Sequence, residues 1–371
     1  MAFHSQCAGG EGASSFSCTR HRDKQLWNPD CRGRFKPRAH ASAVFAASTF
    51  ERSSAPERQG LVLVRSRTNV HRLLAVVTRK LVLLGGASVA AAFVADSGYR
   101  DLLFPATTTG VLIGSASIFL AFRINVGYGR WSQGRQIWGG LVPANRNLAL
   151  YVISMMRLFS ANSADDREFK RRFVYRQIGY VNALRLQLRR QEGSDWDGQL
   201  WKRTVNGRAL FSPDEMHWVQ DASNKALQIL TVQTESVSEY FKERDQLVVV
   251  KILELISDIS SRQGQAEGLK STVLAWGYAF YTKMLAYCLA IVVILSELNA
   301  FAISNIVLVT IVATIFLTIE EVGRNLDNPF DGSFNDTPMS SLCRTIEINL
   351  LQQIGEPCSL EPLGPVGGRL D

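Results

Sequence analysis

The sequence predicts an all-α integral membrane protein, and three patterns support that class. Its apolar residues gather in blocks of about 20, the length of a helix that crosses a bilayer, instead of spreading evenly over the 371 residues. The stretch between the second and third blocks has apolar residues at three- and four-residue steps, which is typical of amphipathic helices. No stretch alternates apolar and polar residues as a half-buried strand would.

Residues 1–58 differ in composition from the rest of the chain. They are rich in Ser, Ala, Gly and Arg, and contain nine Lys or Arg residues against five Asp or Glu. They have no long apolar core of the secretory kind, and this composition is typical of an organellar transit peptide. The alternative is a disordered N-terminal tail.

Four membrane-spanning helices are predicted from the apolar blocks. Lys80 and Asp96 limit the apolar length of the first. The approximate bounds of the four are Leu81–Val94, Leu102–Ile124, Val273–Leu295 and Phe301–Ile319. The predicted organisation is therefore a leader, an N-terminal segment with two spans, a soluble helical module, two further spans and a C-terminal segment: residues 1–58, 59–122, 123–270, 271–322 and 323–371.

The helical module is predicted from periodic apolar residues and from one cap signal. Ser212 followed by Pro213 reads as an N-cap and the first helical position. Residues 123–270 hold 22 Lys and Arg against 16 Asp and Glu, so the positive-inside rule places the module and both termini on the side of synthesis. The periodic residues are Ile178, Val181, Leu184 and Leu188, then Leu227, Leu230 and Val237, then Leu247, Ile252, Leu255, Ile256 and Ile259.

The net charge of +8 is compatible with nucleic acid, an anionic membrane surface or anionic solutes as partners. The sequence has no zinc-finger spacing, RNP-like strand or basic-region zipper, so nucleic acid is not expected. It has no nucleophile–base pair, HExxH motif or phosphate-binding glycine loop, so an enzyme is not expected. A non-conducting membrane scaffold remains an alternative to a transport function.

Two motifs carry the most information. The first, FRINVGYGRWSQGRQIWGGLVPANRNLA, runs from Phe122 to Ala149 directly after the second apolar block and contains four arginines. A membrane helix that continues unbroken into a cationic helix suits a protein that handles anions at a membrane mouth. The second, NPFDGSFNDTPMSSLCRTIEINLLQQIG, runs from Asn328 to Gly355 after the fourth block.

Together the two motifs resemble the bestrophin family, in particular its bacterial and plastid branch. The resemblance covers roughly residues 70–355. In the first motif it rests on Phe122, Arg123, Asn125, Tyr128, Arg130, Trp131, Gly134, Arg135, Trp138 and Gly139. In the second it rests on Asn328, Pro329, Phe330, Asn335, Asp336, Pro338, Cys343, Arg344, Ile346, Glu347, Asn349 and Leu350.

The resemblance implies a homopentamer in which the second span of each subunit lines a central axis. Counting back from Phe122 at helical steps of four, it implies a hydrophobic neck at Gly114, Ile118 and Phe122. It also implies a wider vestibule that attracts anions through Arg123, Asn125, Arg130 and Arg135. On the residues alone, the neck side chains would instead be expected to face lipid or another helix, and the arginines could pair with carboxylates.

Animal bestrophins bind calcium with an acidic cluster after the Asn-Pro-Phe sequence. The resemblance therefore raises calcium binding at Asn328, Asp331 and Asp336 as a hypothesis. Glycine and phenylalanine interrupt the acidic run here, and calcium needs about six to eight oxygens. The alternative is that residues 335–338 form a turn and a helix cap.

The implied function is a chloride channel in a plastid membrane, either the thylakoid or the envelope. Its partners would be other copies of the chain, the lipid bilayer and monovalent anions, with chloride as the permeant ion and no certain cofactor. A bicarbonate channel that supplies the thylakoid lumen and a cation channel are the alternatives within the transport class.

Overall fold

The computed structural model describes residues 67–98, 106–159, 163–191, 193–243, 246–272, 274, 276–296, 303–333 and 336–365. The predicted leader, residues 1–58, lies outside these ranges. Within them the chain is almost entirely helical, and the predicted all-α class is confirmed. The elements are α1 Arg67–Asp96, α2 Ala106–Phe159, α3 Ala164–Leu188, α4 Ser194–Trp196, a π-helical turn Asp197–Trp201, β1 Thr204–Val205, β2 Arg208–Ala209, α5 Pro213–Gln220, α6 Lys225–Phe241, α7 Gln246–Ser271, α8 Trp276–Ser296, α9 Ile303–Leu326 and α10 Met339–Ile354.

Helix α2 organises the fold. Its 54 residues make it about 80 Å long at 1.5 Å per residue, more than twice the thickness of a bilayer core. The predicted continuity between the second span and the cationic motif is thus confirmed. Pro143 removes one main-chain donor inside this helix, and the helix continues past it.

The first half of α2 packs with α8 and α9, and α1 packs with α9 and α8. In the described part of the chain, these four helices are long and apolar enough to cross a membrane. Their shared core contains many small side chains, which let membrane helices approach closely. The buried residues of this core are Ala92, Ala116, Leu120, Ala286, Leu289, Ala290, Val293, Ile294, Val309, Ala313, Phe316 and Leu317.

Two predicted span limits differ from the structure. Lys80 does not end the first span, because its ammonium donates to the Leu317 carbonyl oxygen at 2.9 Å and pairs with Glu321. The apolar part of α1 therefore begins at Ala75. The fourth span was predicted to end at Ile319, but α9 continues to Leu326, so the predicted domain limit at residue 322 falls inside this helix.

The second half of α2 packs against α7 and α10 in the helical module, where α3 also contacts α6, α7 and α10. The apolar stripe of α3 is buried as predicted at Ile178, Val181, Leu184 and Leu188. Ser212 caps α5 through a reciprocal capping box with Glu215, also as predicted.

Three details of the module differ from the predictions. Leu227 and Leu247 are 44% and 79% exposed, because α6 and α7 bury neighbouring positions such as Ala226 and Val248 instead. A two-stranded hairpin, β1–β2, was not predicted, because four strand residues are too few to show an alternating pattern. Its turn is Asn206-Gly207, and both residues have positive φ, the preferred sequence for this turn.

Candidate functional site

The predicted neck residues lie on the face of α2 that the other described helices leave uncovered. Ile118 and Phe122 are 58% and 59% exposed, large fractions for apolar side chains. Gly114 is exposed too, and a methyl group there would meet no heavy atom within 4 Å. Lipid, water or a second copy of the chain must therefore cover this face.

The uncovered face continues along α2 into the module. At three- and four-residue steps after Phe122 it presents only uncharged side chains and glycines, a pattern that the sequence analysis missed. Amide side chains provide both donors and acceptors for polar solutes. We call this face the α2 stripe; its exposed residues are Gly114, Ile118, Phe122, Asn125, Gly129, Gln133, Gln136, Gly139, Pro143 and Asn147.

Arg123 was predicted to attract anions in the vestibule, and this prediction is wrong. The side chain is 1% exposed and lies on the opposite face of α2 from the stripe. Its Nη1 donates to Oδ1 of Asp327 at 2.7 Å, and its Nη2 donates to the other oxygen of the same carboxylate. Such a bidentate pair fixes the position of two helix segments and leaves the guanidinium no surface for a passing ion.

Arg130 also has a structural position, contrary to its predicted role at the vestibule wall. Its Nε donates to the carbonyl oxygen of Asp327 at 2.7 Å. Its Nη2 donates to the carbonyl oxygens of Leu269 at 2.8 Å and Thr272 at 2.7 Å. These oxygens lie at the C-terminal ends of α9 and α7, where carbonyls lack helical partners and the helix dipoles are negative. Arg130 therefore caps two helices at once.

Two predicted vestibule residues, Asn125 and Arg135, are exposed on α2. A further cation near the stripe was not predicted. The guanidinium of Arg262, from α7, occupies the space that a side chain at Gly140 would need. Arg262 also pairs with Asp258, with Nε 3.0 Å from Oδ2. Gly140 follows Phe122 by 18 residues, or five helical turns, so Arg262 lies in line with Phe122 about 27 Å further along α2.

The Asn-Pro-Phe sequence docks on α2 through a glycine. A Cβ at Gly134 would lie 2.7 Å from Cγ of Pro329 and 3.2 Å from Cζ of Phe330. Phe330 is fully buried. The two motifs, nearly 200 residues apart in the sequence, are therefore in direct contact.

The residues of the calcium hypothesis, Asn328, Asp331 and Asp336, are engaged in other contacts in the structure. Asp331 forms an ion pair with Lys270 and accepts a hydrogen bond from the Asn328 amide. Oδ2 of Asp336 accepts the main-chain N–H of Ser333 at 2.7 Å, so this residue stabilises a turn. Among the described residues, no three His, Cys, Asp or Glu side chains are grouped to hold a metal ion. A neighbouring ammonium also disfavours a dication, which needs several free oxygens.

Comparison with known proteins gives one consistent answer. The sequence matches the family described as Bacterial/Fungal Bestrophin protein over residues 53–352. A voltage-dependent anion channel-forming protein of Synechocystis is 25% identical over 241 residues, which cover 63% of this chain and 73% of that protein. A protein of the same description from Mesorhizobium japonicum is 23% identical over 306 residues, covering 80% of this chain and 93% of that protein. In structure, the chain is similar to a bacterial bestrophin homolog from Klebsiella pneumoniae, with a TM-score of 0.66, 20% identity, and coverage of 76% of this chain and 99% of that one.

The family match includes the first motif, all but the last three residues of the second, and all four membrane helices. The relatives named above are channel-forming proteins, in agreement with the prediction that the chain is not an enzyme. The fold similarity extends over nearly the whole Klebsiella protein. This chain is a helical membrane protein and belongs to the bestrophin family.

Proposed function

We propose that this protein is a homopentameric anion channel in which the α2 stripe of each subunit lines a central axis. The observation that carries the proposal is the exposed stripe itself, which is apolar at Ile118 and Phe122 and amide-rich from Asn125 to Asn147. Exposed apolar side chains followed by uncharged polar ones suit a narrow neck that opens into a water-filled vestibule. The descriptions of the relatives as anion channel-forming proteins support this function.

A neck of this kind passes ions only while it is wet. Narrow apolar constrictions gate by losing water, and they conduct once they are wide enough to hydrate. Beyond the neck, amide N–H groups of Asn125, Gln133 and Gln136 can donate to a partly dehydrated anion. Because Arg123 and Arg130 are engaged in the fold and Arg262 pairs with Asp258, the positive potential comes from Arg135 and the basic surplus of the module.

We test the function by measuring reversal potentials with the purified full chain in planar bilayers. Under a potassium chloride gradient, the reversal potential is expected to move towards the equilibrium potential of chloride. Movement towards the potassium value would show a cation channel, and absence of current would favour a non-conducting scaffold. Replacing chloride by bicarbonate on one side tests the bicarbonate alternative, since a selective bicarbonate channel would then reverse at the bicarbonate potential.

The neck is tested by replacing Ile118 and Phe122 together with alanine. Widening the constriction is expected to make dewetting harder, so the double variant should stay open longer and discriminate less between anions while still assembling. Phe119→Ala is the matched control, because Phe119 is 58% exposed but lies in a groove between α2 and α8. If single-channel recordings show altered open time and selectivity in Phe119→Ala but not in the double variant, the pore axis does not lie on the face of α2 that carries Ile118 and Phe122.

For the location we propose a plastid membrane, the thylakoid in preference to the envelope, with the module and both termini in the stroma. Two observations support it: the transit-peptide composition of residues 1–58, and a family match that begins only at residue 53. In the thylakoid, chloride entry would balance the charge of protons pumped into the lumen. A fluorescent fusion of the full chain that stays outside plastids would contradict this location.

A further inference from the structure

A lysine lies inside the third membrane helix, α8. Lys283 follows Trp276, the first residue of this helix, by seven positions, so its Cα lies about 10 Å further along the helix axis. The apolar stretch of α8 runs from Trp276 to Leu295 and includes this residue. A charged side chain at such a depth is costly in hydrocarbon, and where one occurs it usually has a partner or a function.

Lys283 is exposed, and within the part of the chain that the structure describes no hydrogen bond or ion pair engages its ammonium. Side chains on a helix point back towards its N-terminus. Only residues 272–275 separate this end of α8 from α7, so it lies on the side of the membrane that carries the module. The flexible four-carbon stem of Lys283 can therefore bring the ammonium back to the module-side surface of the bilayer.

Exposed aromatic side chains lie on the same face of α8 as this lysine. The positions recur at steps of four and three, which places them in one stripe along the helix. We call this stripe the α8 aromatic face; its residues are Trp276, Phe280, Lys283 and Tyr287. The rings of Trp276 and Phe280 stack with their centroids 5.2 Å apart. Because Trp and Tyr side chains favour the boundary between lipid and water, the start of this face lies at the level of the lipid headgroups.

Within the four described membrane helices, no carboxylate is placed to neutralise Lys283, either in the same chain or in a second copy. Helices α2 and α8 contain no acidic residue, and those of α1 and α9 are Asp96, Glu320 and Glu321. Asp96 ends α1 next to the start of α2, away from the module. Glu320 is 7% exposed, and Glu321 pairs with Lys80. These observations favour a lipid headgroup as the source of the negative charge.

We propose that the α8 aromatic face binds an anionic phospholipid of the module-side leaflet, with its phosphate at Lys283 and an acyl chain along Tyr287 and Ile291. The ammonium has three donors for phosphate oxygens, and such charge-assisted hydrogen bonds are strong. The indole N–H of Trp276 can donate to a headgroup oxygen at the same level. Ile291, which is 56% exposed, continues the face towards the bilayer centre. A lipid with net negative charge is favoured over a zwitterionic one, because the latter carries its own cation.

The test titrates the detergent-solubilised full chain with phosphatidylglycerol or with phosphatidylcholine of identical acyl chains, and native mass spectrometry counts the bound lipid. Lys283→Gln is expected to lower the affinity for phosphatidylglycerol about fivefold, the effect of one cation at a membrane surface, and to leave that for phosphatidylcholine unchanged. Lys283→Arg keeps the charge and should keep the affinity. The matched control is Lys242→Gln, which removes the same charge from the exposed C-cap of α6 in the module and should bind both lipids as the unmodified chain does.

A second measurement leaves Lys283 in place and so does not depend on the folding of its variants. Phosphatidylglycerol brominated on its acyl chains quenches the fluorescence of nearby tryptophans, and Trp276→Phe shows how much of the quenching belongs to Trp276. This part is expected to be larger with brominated phosphatidylglycerol than with brominated phosphatidylcholine.

Three outcomes would overturn the proposal. The first is equal affinity of the unmodified chain for the two lipids, and the second is equal quenching of Trp276 by both. The third is a Lys283→Gln chain that binds phosphatidylglycerol normally but loses mass as an assembly, which would show that another subunit, and not a lipid, covers Lys283.

Discussion

Arg123→Gln is expected to lower the free energy of unfolding by about 3 kcal/mol, the cost of breaking a buried ion pair by removing one partner. The neutral amide cannot make both charge-assisted hydrogen bonds to Asp327, and it leaves this carboxylate without its cation. The value lies at the lower end of the range for such pairs because the side chain of Asp327 keeps 20% exposure.

Thermal melting of the detergent-solubilised chain measures this effect. Asp327→Asn should be destabilised similarly, and the double variant should lose much less than the sum of the two, because no unpaired charge remains. Arg135→Gln is the matched control on the same helix, since Arg135 is exposed, and its melting temperature should change little. Additive losses in the double variant would show that the two side chains do not act as a pair.

Helical phase, which can be read from the sequence alone, distinguishes the buried arginines of α2 from its exposed face. Arg123, Gly127, Arg130 and Gly134 recur at steps of four and three, the same phase as the buried Ile137 and Leu141. Ile118 and Phe122 follow the opposite phase. The vestibule prediction treated Arg123, Arg130 and Arg135 as one set because all three are cationic. The 3.6-residue period of the helix instead places Arg123 and Arg130 on the packed face.

The sequence could not predict ion pairs between residues that are far apart along the chain. Asp327 follows Arg123 by more than 200 residues, and nothing in either motif indicates that their side chains form a bidentate pair. In the same way, the contact of Asp331 with Lys270 could not be predicted, because Lys270 precedes Asp331 by 61 residues. Local signals such as the Ser212 cap and the α3 stripe were read correctly because all their determinants lie within a few turns.

The two glycines Gly127 and Gly129 are expected to respond to alanine with opposite signs. A Cβ at Gly127 would lie 2.7 Å from the carbonyl oxygen of Gly323 and 3.2 Å from Cβ of Leu326. Because the nearest atom belongs to the backbone of α9, α2 would have to move away, and we expect a loss of about 2–3 kcal/mol in stability. A Cβ at Gly129 would meet nothing within 4 Å, so the better helix propensity of alanine should add up to about 1 kcal/mol.

The comparison also tests the proposed axis, because the two positions differ only in the face of α2 that they occupy. Melting temperatures and native mass are measured for both variants in the same detergent. If Gly129→Ala stabilises the chain and leaves the assembly intact, its face borders open space, as a water-filled vestibule requires. If Gly129→Ala disrupts the assembly as Gly127→Ala disrupts the fold, this face packs tightly against another subunit, and the vestibule cannot run along the α2 stripe.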